Sequence, residues 1–86
     1  MKVTVIASGS KGNATLIETK NKNMLIDAGI TANEIKKRLK KDVKIDLLFI
    51  THAHIDHIKG LKSIVKEYNP SVYSRNDEVI KKNICN

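Results

Sequence analysis

The chain has 86 residues, enough for one small domain that buries a modest fraction of its surface and has little stability to spare. Sixteen Lys and Arg against nine Asp and Glu give a formal net charge of +7, a field that attracts polyanions but says nothing about fold. The single Cys85 excludes an internal disulfide framework, no secretory signal follows Met1, and no apolar run approaches the roughly 18 residues of a membrane span, so a soluble cytoplasmic protein is expected.

Val3-Thr4-Val5-Ile6 is β-branched and apolar and predicts a first strand. It runs into Ser8-Gly9-Ser10-Lys11-Gly12-Asn13, where Ser8, Ser10 and Asn13 could offer hydroxyl or backbone N–H groups to a phosphate or could simply turn the chain. Thr15 to Glu18 and Met24 to Ile26 form the next two strands, joined across the turn Asn21-Lys22-Asn23 as a hairpin. Asp27 ends the third strand and reads by itself as a turn or helix-approach residue.

Thr31 followed by Glu34 is a capping box, with Ile30 placed to staple against Ile35, and predicts a helix over about 32–40. Ile35 and Leu39 make its apolar stripe. Lys36, Lys37, Arg38, Lys40, Lys41 and Lys44 form a basic run that either faces water or tracks a nucleic-acid backbone. Asp46 to Ile50 is a short, nearly continuous apolar strand of the kind covered on both faces. From Ile58, apolar residues recur at helical spacing through Leu61 and Ile64 to Tyr68, where Asn69-Pro70 stops them. A strand at Ser71 to Tyr73 and a weak helix at Asp77 to Ile84 complete the pattern, whose alternation of strands and helices predicts an α/β fold.

All three histidines fall in Thr51-His52-Ala53-His54-Ile55-Asp56-His57. The cluster follows a strand, so it belongs at the C-terminal edge of a sheet, where α/β proteins keep their sites. His52 and His54 are two apart and in extended backbone point the same way, which lets them share one ion. Asp56 and His57 can meet a second ion beside the first. Imidazole nitrogen and carboxylate oxygen suit zinc, and two adjacent ions can activate water against a phosphodiester.

Thr51-His-Ala-His-Ile-Asp-His57 resembles the HxHxDH signature of the metallo-β-lactamase fold, and Leu25-Ile26-Asp27-Ala28-Gly29 resembles its LIDxG strand. Ala7-Ser-Gly-Ser-Lys-Gly-Asn-Ala14 is similar to the opening of the YycJ/WalJ-like branch, whose members resemble DNA exonucleases. The resemblance implies His52 and His54 as ligands of a first metal and Asp56 and His57 as ligands of a second, with Asp56 also the catalytic residue that orients the attacking water. It implies Asp27 as a brace behind the metal-binding loop, and Zn2+ or Mn2+, up to two ions, as cofactor.

The family normally adds a third histidine, a bridging aspartate and a last histidine from later segments, and no histidine follows His57 here. Its fold is a four-layered αββα sandwich, of which residues 1–86 would supply one partial domain, the first sheet and its helices. The expected function is therefore the N-terminal half of a metal-dependent hydrolase resembling nucleic-acid phosphodiesterases, inactive as this chain alone. The alternative is a noncatalytic metal-binding or interaction fragment. Nucleic acid at the basic surface, self-association, or a complementing chain over the open side are the expected partners, with no membrane.

Overall fold

Five strands and two helices alternate in a computed structural model that describes residues 1–51 and 58–74. Strands β1 (Lys2–Ala7), β2 (Ala14–Glu18) and β3 (Asn23–Ile26) form an antiparallel meander. Helix α1 (Ala32–Leu39) then crosses to β4 (Leu47–Ile50), and α2 (Leu61–Tyr68) crosses to β5 (Ser71–Ser74), both new strands adding in parallel. The sheet order is β1-β2-β3-β4-β5, a mixed α/β sheet.

The local reasons are those of the residue pattern. At the far end of the β2–β3 hairpin, Lys22 N–H donates to Thr19 Oγ1 at 3.0 Å and Thr19 N–H to Lys22 O at 3.0 Å, a side-chain-assisted turn that sets the register Glu18↔Asn23. Thr31 Oγ1 accepts the Glu34 N–H at 3.3 Å and starts α1, while Lys40 closes it in the left-handed conformation. Asn69 closes α2 in the same way, just before Pro70.

Register converts strand alternation into two unlike faces. Leu16, Leu25 and Leu48 are cross-strand partners with no exposure, and with Ile6 and Ile50 they bury against Ile35, Leu61 and Ile64 of the helices. The opposite face presents Val3, Ile17, Met24 and Leu47 as one cross-strand row. Val5, Thr15, Ile26, Phe49 and Tyr73 form the next, with the Phe49 and Tyr73 rings stacked 5.3 Å apart. Val3, Val5 and Tyr73 are each more than half exposed. The strand expected to be covered on both faces is thus covered on one. Leu48 and Ile50 are buried while Leu47 and Phe49 are only half-buried, because the described residues supply one helical layer and one sheet.

Ile58 is helical, as the apolar spacing predicts, and a turn at residues 59–60 separates it from helix α2, which begins at Leu61. The helix expected at Asp77 to Ile84 lies outside the described residues. No helix among the described residues is long and apolar enough to cross a membrane.

Candidate metal-binding loop and its frame

Parallel pairing of β3 with β4 puts the C-terminal ends of both strands at one edge of the sheet, beside the loop that leaves β1. Two loops, 8–13 and 27–31, lie there with Thr51, the last described residue before the histidine cluster. The candidate metal ligands His52, His54, Asp56 and His57, with Asp56 also the candidate catalytic residue, lie outside the described residues. Both flanks of that segment are described, and both are fastened to the same short stretch of chain.

The first fastening is Asp27. It is 6 % exposed and sits at φ 68°, a left-handed conformation that aspartate tolerates better than most side chains. Its backbone N–H donates to Phe49 O at 2.7 Å, which ties the end of β3 to the end of β4. Its carboxylate then accepts from Thr51 three times: from the backbone N–H at 2.7 Å and the hydroxyl at 2.9 Å on Oδ1, and from the hydroxyl at 2.7 Å on Oδ2. Thr51 is the residue immediately before His52, so this charge-assisted grip sets where the segment leaves the sheet.

The second fastening is Gly60. Its N–H donates to Ala28 O at 2.6 Å, and a Cβ built on it would lie 1.7 Å from Ile30 O and 2.4 Å from Ile30 C. Only a hydrogen side chain lets the backbones approach this closely. Ser63 completes the joint, with its hydroxyl donating to Gly60 O at 2.9 Å and accepting the Ala32 N–H at 3.0 Å. The start of α2 is thereby bonded to the start of α1. Entry and exit of residues 52–57 are held from residues 27–32.

The Ser/Gly loop is anchored to the same stretch. Gly29 N–H donates to Asn13 O at 2.9 Å, and a Cβ on Gly12 would meet Gly29 O at 2.5 Å. Asn13 closes the loop through its side chain, accepting from Gly9 N–H at 3.2 Å and donating to Gly9 O at 3.0 Å. Ser8 and Ser10 are exposed at the loop surface. Thr51, Gly60 and Ser63 were not singled out by sequence reasoning. The glycine three residues past the histidine cluster was the one available signal.

The basic run does not form a continuous free surface. Lys36 pairs with Glu67 at 2.6 Å, a hydrogen bond that raises its pKa above the ordinary lysine value, and Lys41 pairs with Glu18 at 3.1 Å. Lys37 and Arg38 both reach Glu34, at 3.8 and 3.4 Å.

Among the described residues no group of three or more His, Cys, Asp or Glu could hold a metal ion, and the candidate donors His52, His54, Asp56 and His57 lie outside those residues. That donor set, three imidazoles and one carboxylate, is chemically suited to zinc and acceptable to manganese.

Comparison with known proteins gives the family. The profile described as Metallo-beta-lactamase superfamily matches residues 7–81. The exodeoxyribonuclease WalJ of Streptococcus pneumoniae is 36 % identical over 77 residues, which cover 85 % of this chain and 29 % of that protein. The exodeoxyribonuclease YycJ of Bacillus anthracis is 36 % identical over 76 residues, covering 83 % of this chain and 28 % of its own length. A metal-dependent hydrolase of Bacillus subtilis, YtkL, is 33 % identical over 61 residues, covering 71 % of this chain and 27 % of that protein. The chain spans less than a third of the length of these relatives.

Proposed function

Because the chain belongs to the metallo-β-lactamase superfamily, we propose that it is the N-terminal, metal-anchoring part of a metal-dependent hydrolase that cleaves phosphodiester bonds in nucleic acid, inactive as this chain alone. The observation that carries the reading is the pair of clamps, Asp27 on Thr51 and Ala28 on Gly60, which brackets the histidine-rich segment at the C-terminal edge of the sheet. The exodeoxyribonuclease names of WalJ and YycJ support the substrate class.

In this reading His52 and His54 hold one zinc or manganese ion, and Asp56 with His57 hold a second. Bound metal supplies a water of lowered pKa and positive charge for the anionic oxygens of the substrate. Asp56 orients that water. Asp27 works through Thr51, fixing the backbone from which His52 and His54 project, as outer partners of metal ligands do. Ser8 and Ser10, on the loop anchored by Gly12 and Asn13, are candidate donors to a substrate phosphate.

Hydrolysis needs both a held nucleophile and a positioned phosphate, and a half-set of ligands controls neither well. With zinc or manganese and a labelled single-stranded oligonucleotide, the 86-residue chain is expected to cleave no faster than metal alone. Metal-dependent cleavage that disappears in Asp56→Ala would show that this chain suffices and would overturn the inactive reading.

The open sheet face favours a second role, as a surface that must be covered. Two cross-strand rows of largely apolar side chains with only partial burial are more than a soluble monomer usually leaves in water, and among the described residues β1 and β5 are both edge strands. We propose that a second copy or a complementing chain occupies it. Sedimentation at micromolar concentration is expected to show species larger than a monomer, reduced by Val3→Lys with Val5→Lys. A compact, cooperatively folding monomer would contradict this.

A further inference from the structure

Three surface recesses among the described residues differ sharply in charge. Two lie at the edge of the sheet where the helices end, and they mix lysines with nearly as many carboxylates. One is lined by Lys36, Lys41 and Lys44 against Asp42, Asp46 and Glu67. The other sets Lys20, Lys22, Lys41 and Lys44 against Glu18, Asp42 and Asp46. The first lining is neutral and the second carries a single excess positive charge, so neither draws an anion strongly.

The third recess, of about 330 Å3, is different. Its ionic lining is Lys11, Arg38 and Lys59 against Glu34 alone. Glu34 is already engaged by Arg38 and Lys37, and neither Lys11 nor Lys59 is ion-paired among the described residues. Its floor is the Gly29-Ile30-Thr31 stretch, the same stretch onto which both flanking loops are fastened.

That shared floor explains how residues so distant in sequence converge. Lys11 precedes Gly12, which packs against Gly29 and Ile30, and Lys59 precedes Gly60, which packs against Ile30 and bonds to Ala28. Arg38 is held at the rim by its Nη1 donation to Ile6 O at 3.1 Å, which leaves other guanidinium N–H groups for a ligand. Two mobile point charges around one oriented fork suit a phosphate oxygen better than a carboxylate lost among carboxylates.

We propose that the Lys11–Arg38–Lys59 recess binds a backbone phosphate of a single-stranded nucleic acid and so guides the strand past residues 52–57, which rests on the nucleic-acid reading above. The contact is electrostatic and independent of base sequence. It draws only Arg38 from the basic run Lys36 to Lys44.

The test is fluorescence anisotropy with a labelled single-stranded oligonucleotide in EDTA, so that metal chemistry plays no part and the hydrolytic reading can fail separately through its own Asp56→Ala assay. The paired change Lys11→Glu with Lys59→Glu is compared with Lys20→Glu and Lys22→Glu, exposed residues of the β2–β3 turn that alter net charge equally. The recess pair is expected to weaken binding at low salt at least about tenfold and to flatten the salt slope by roughly 2, about one per lysine contact. The turn pair is expected to change it only slightly. Lys11→Gln with Lys59→Gln, a milder change at exposed positions, should follow the same order. Equal losses in the two pairs would mean that net charge alone binds the strand and would overturn the proposal. So would displacement of the oligonucleotide by micromolar inorganic phosphate, which would make the recess a site for the free anion.

Discussion

Gly60→Ala is expected to cost most of the stability of this fold. The added methyl carbon would sit 1.7 Å from Ile30 O and 2.9 Å from Thr31 Cα, and these are backbone atoms with no rotamer to escape into. Relief requires moving the start of α2 away from residues 28–31, which breaks the Gly60–Ala28 hydrogen bond and the bond from Ala32 N–H to the Ser63 hydroxyl. A loss on the order of 4 kcal/mol or more belongs with the largest single-residue effects. A domain of this size holds roughly 4–13 kcal/mol in total, at about 0.05–0.15 kcal/mol per residue. Thermal unfolding by circular dichroism should therefore show a midpoint at least about 20 °C lower. Gly9→Ala is the control: φ is +114° there, but nothing lies within 4 Å of the new carbon, so only conformational strain of about 1–2 kcal/mol is added. Similar midpoints for the two variants would refute the clamp at Gly60.

Asp27→Ala is expected to act on the metal-binding segment as well as on stability. It removes the acceptor for the Thr51 N–H and hydroxyl, a loss of about 1–3 kcal/mol where those groups are partly buried. It also leaves alanine at φ 68°, which adds roughly 1–2 kcal/mol. Asp27→Asn separates the two effects, because asparagine tolerates the same backbone conformation and keeps one acceptor oxygen. Zinc affinity should fall about 10-fold or more in both variants, as it does when outer partners of metal ligands are removed. Full zinc affinity in a folded Asp27→Asn protein would mean that Thr51 does not set the geometry of His52 and His54.

Local features of this fold were legible in the sequence because their causes are local. The Thr31–Glu34 cap, the turn around Lys22 and the stop at Asn69-Pro70 each depend on residues within one turn of one another, and each lies where the pattern puts it. The joints of the site are long-range. Asp27 grips a residue 24 positions away and Ala32 bonds to a side chain 31 positions away, and neither contact leaves a periodic trace in the chain. The pairing of the basic run is illegible for a related reason. Its lysines share a helix but take partners from elsewhere, Glu67 and Glu18, whereas Lys11 and Lys59 meet only through the backbone packing of their glycine neighbours. The coverage of β4 could not be read from its composition either. An apolar strand declares that both faces want burial, and says nothing of whether the same stretch of chain supplies both layers.

The central claim is that the segment held between Thr51 and Gly60 binds metal through its histidines. Isothermal titration of the purified chain with zinc, repeated on the His52→Ala, His54→Ala double variant, tests it most directly. Weak binding at about one equivalent or less is predicted for the unaltered chain, since an incomplete ligand shell holds zinc loosely, and no measurable binding is predicted for the double variant. Equal zinc affinity in the two proteins would contradict the account.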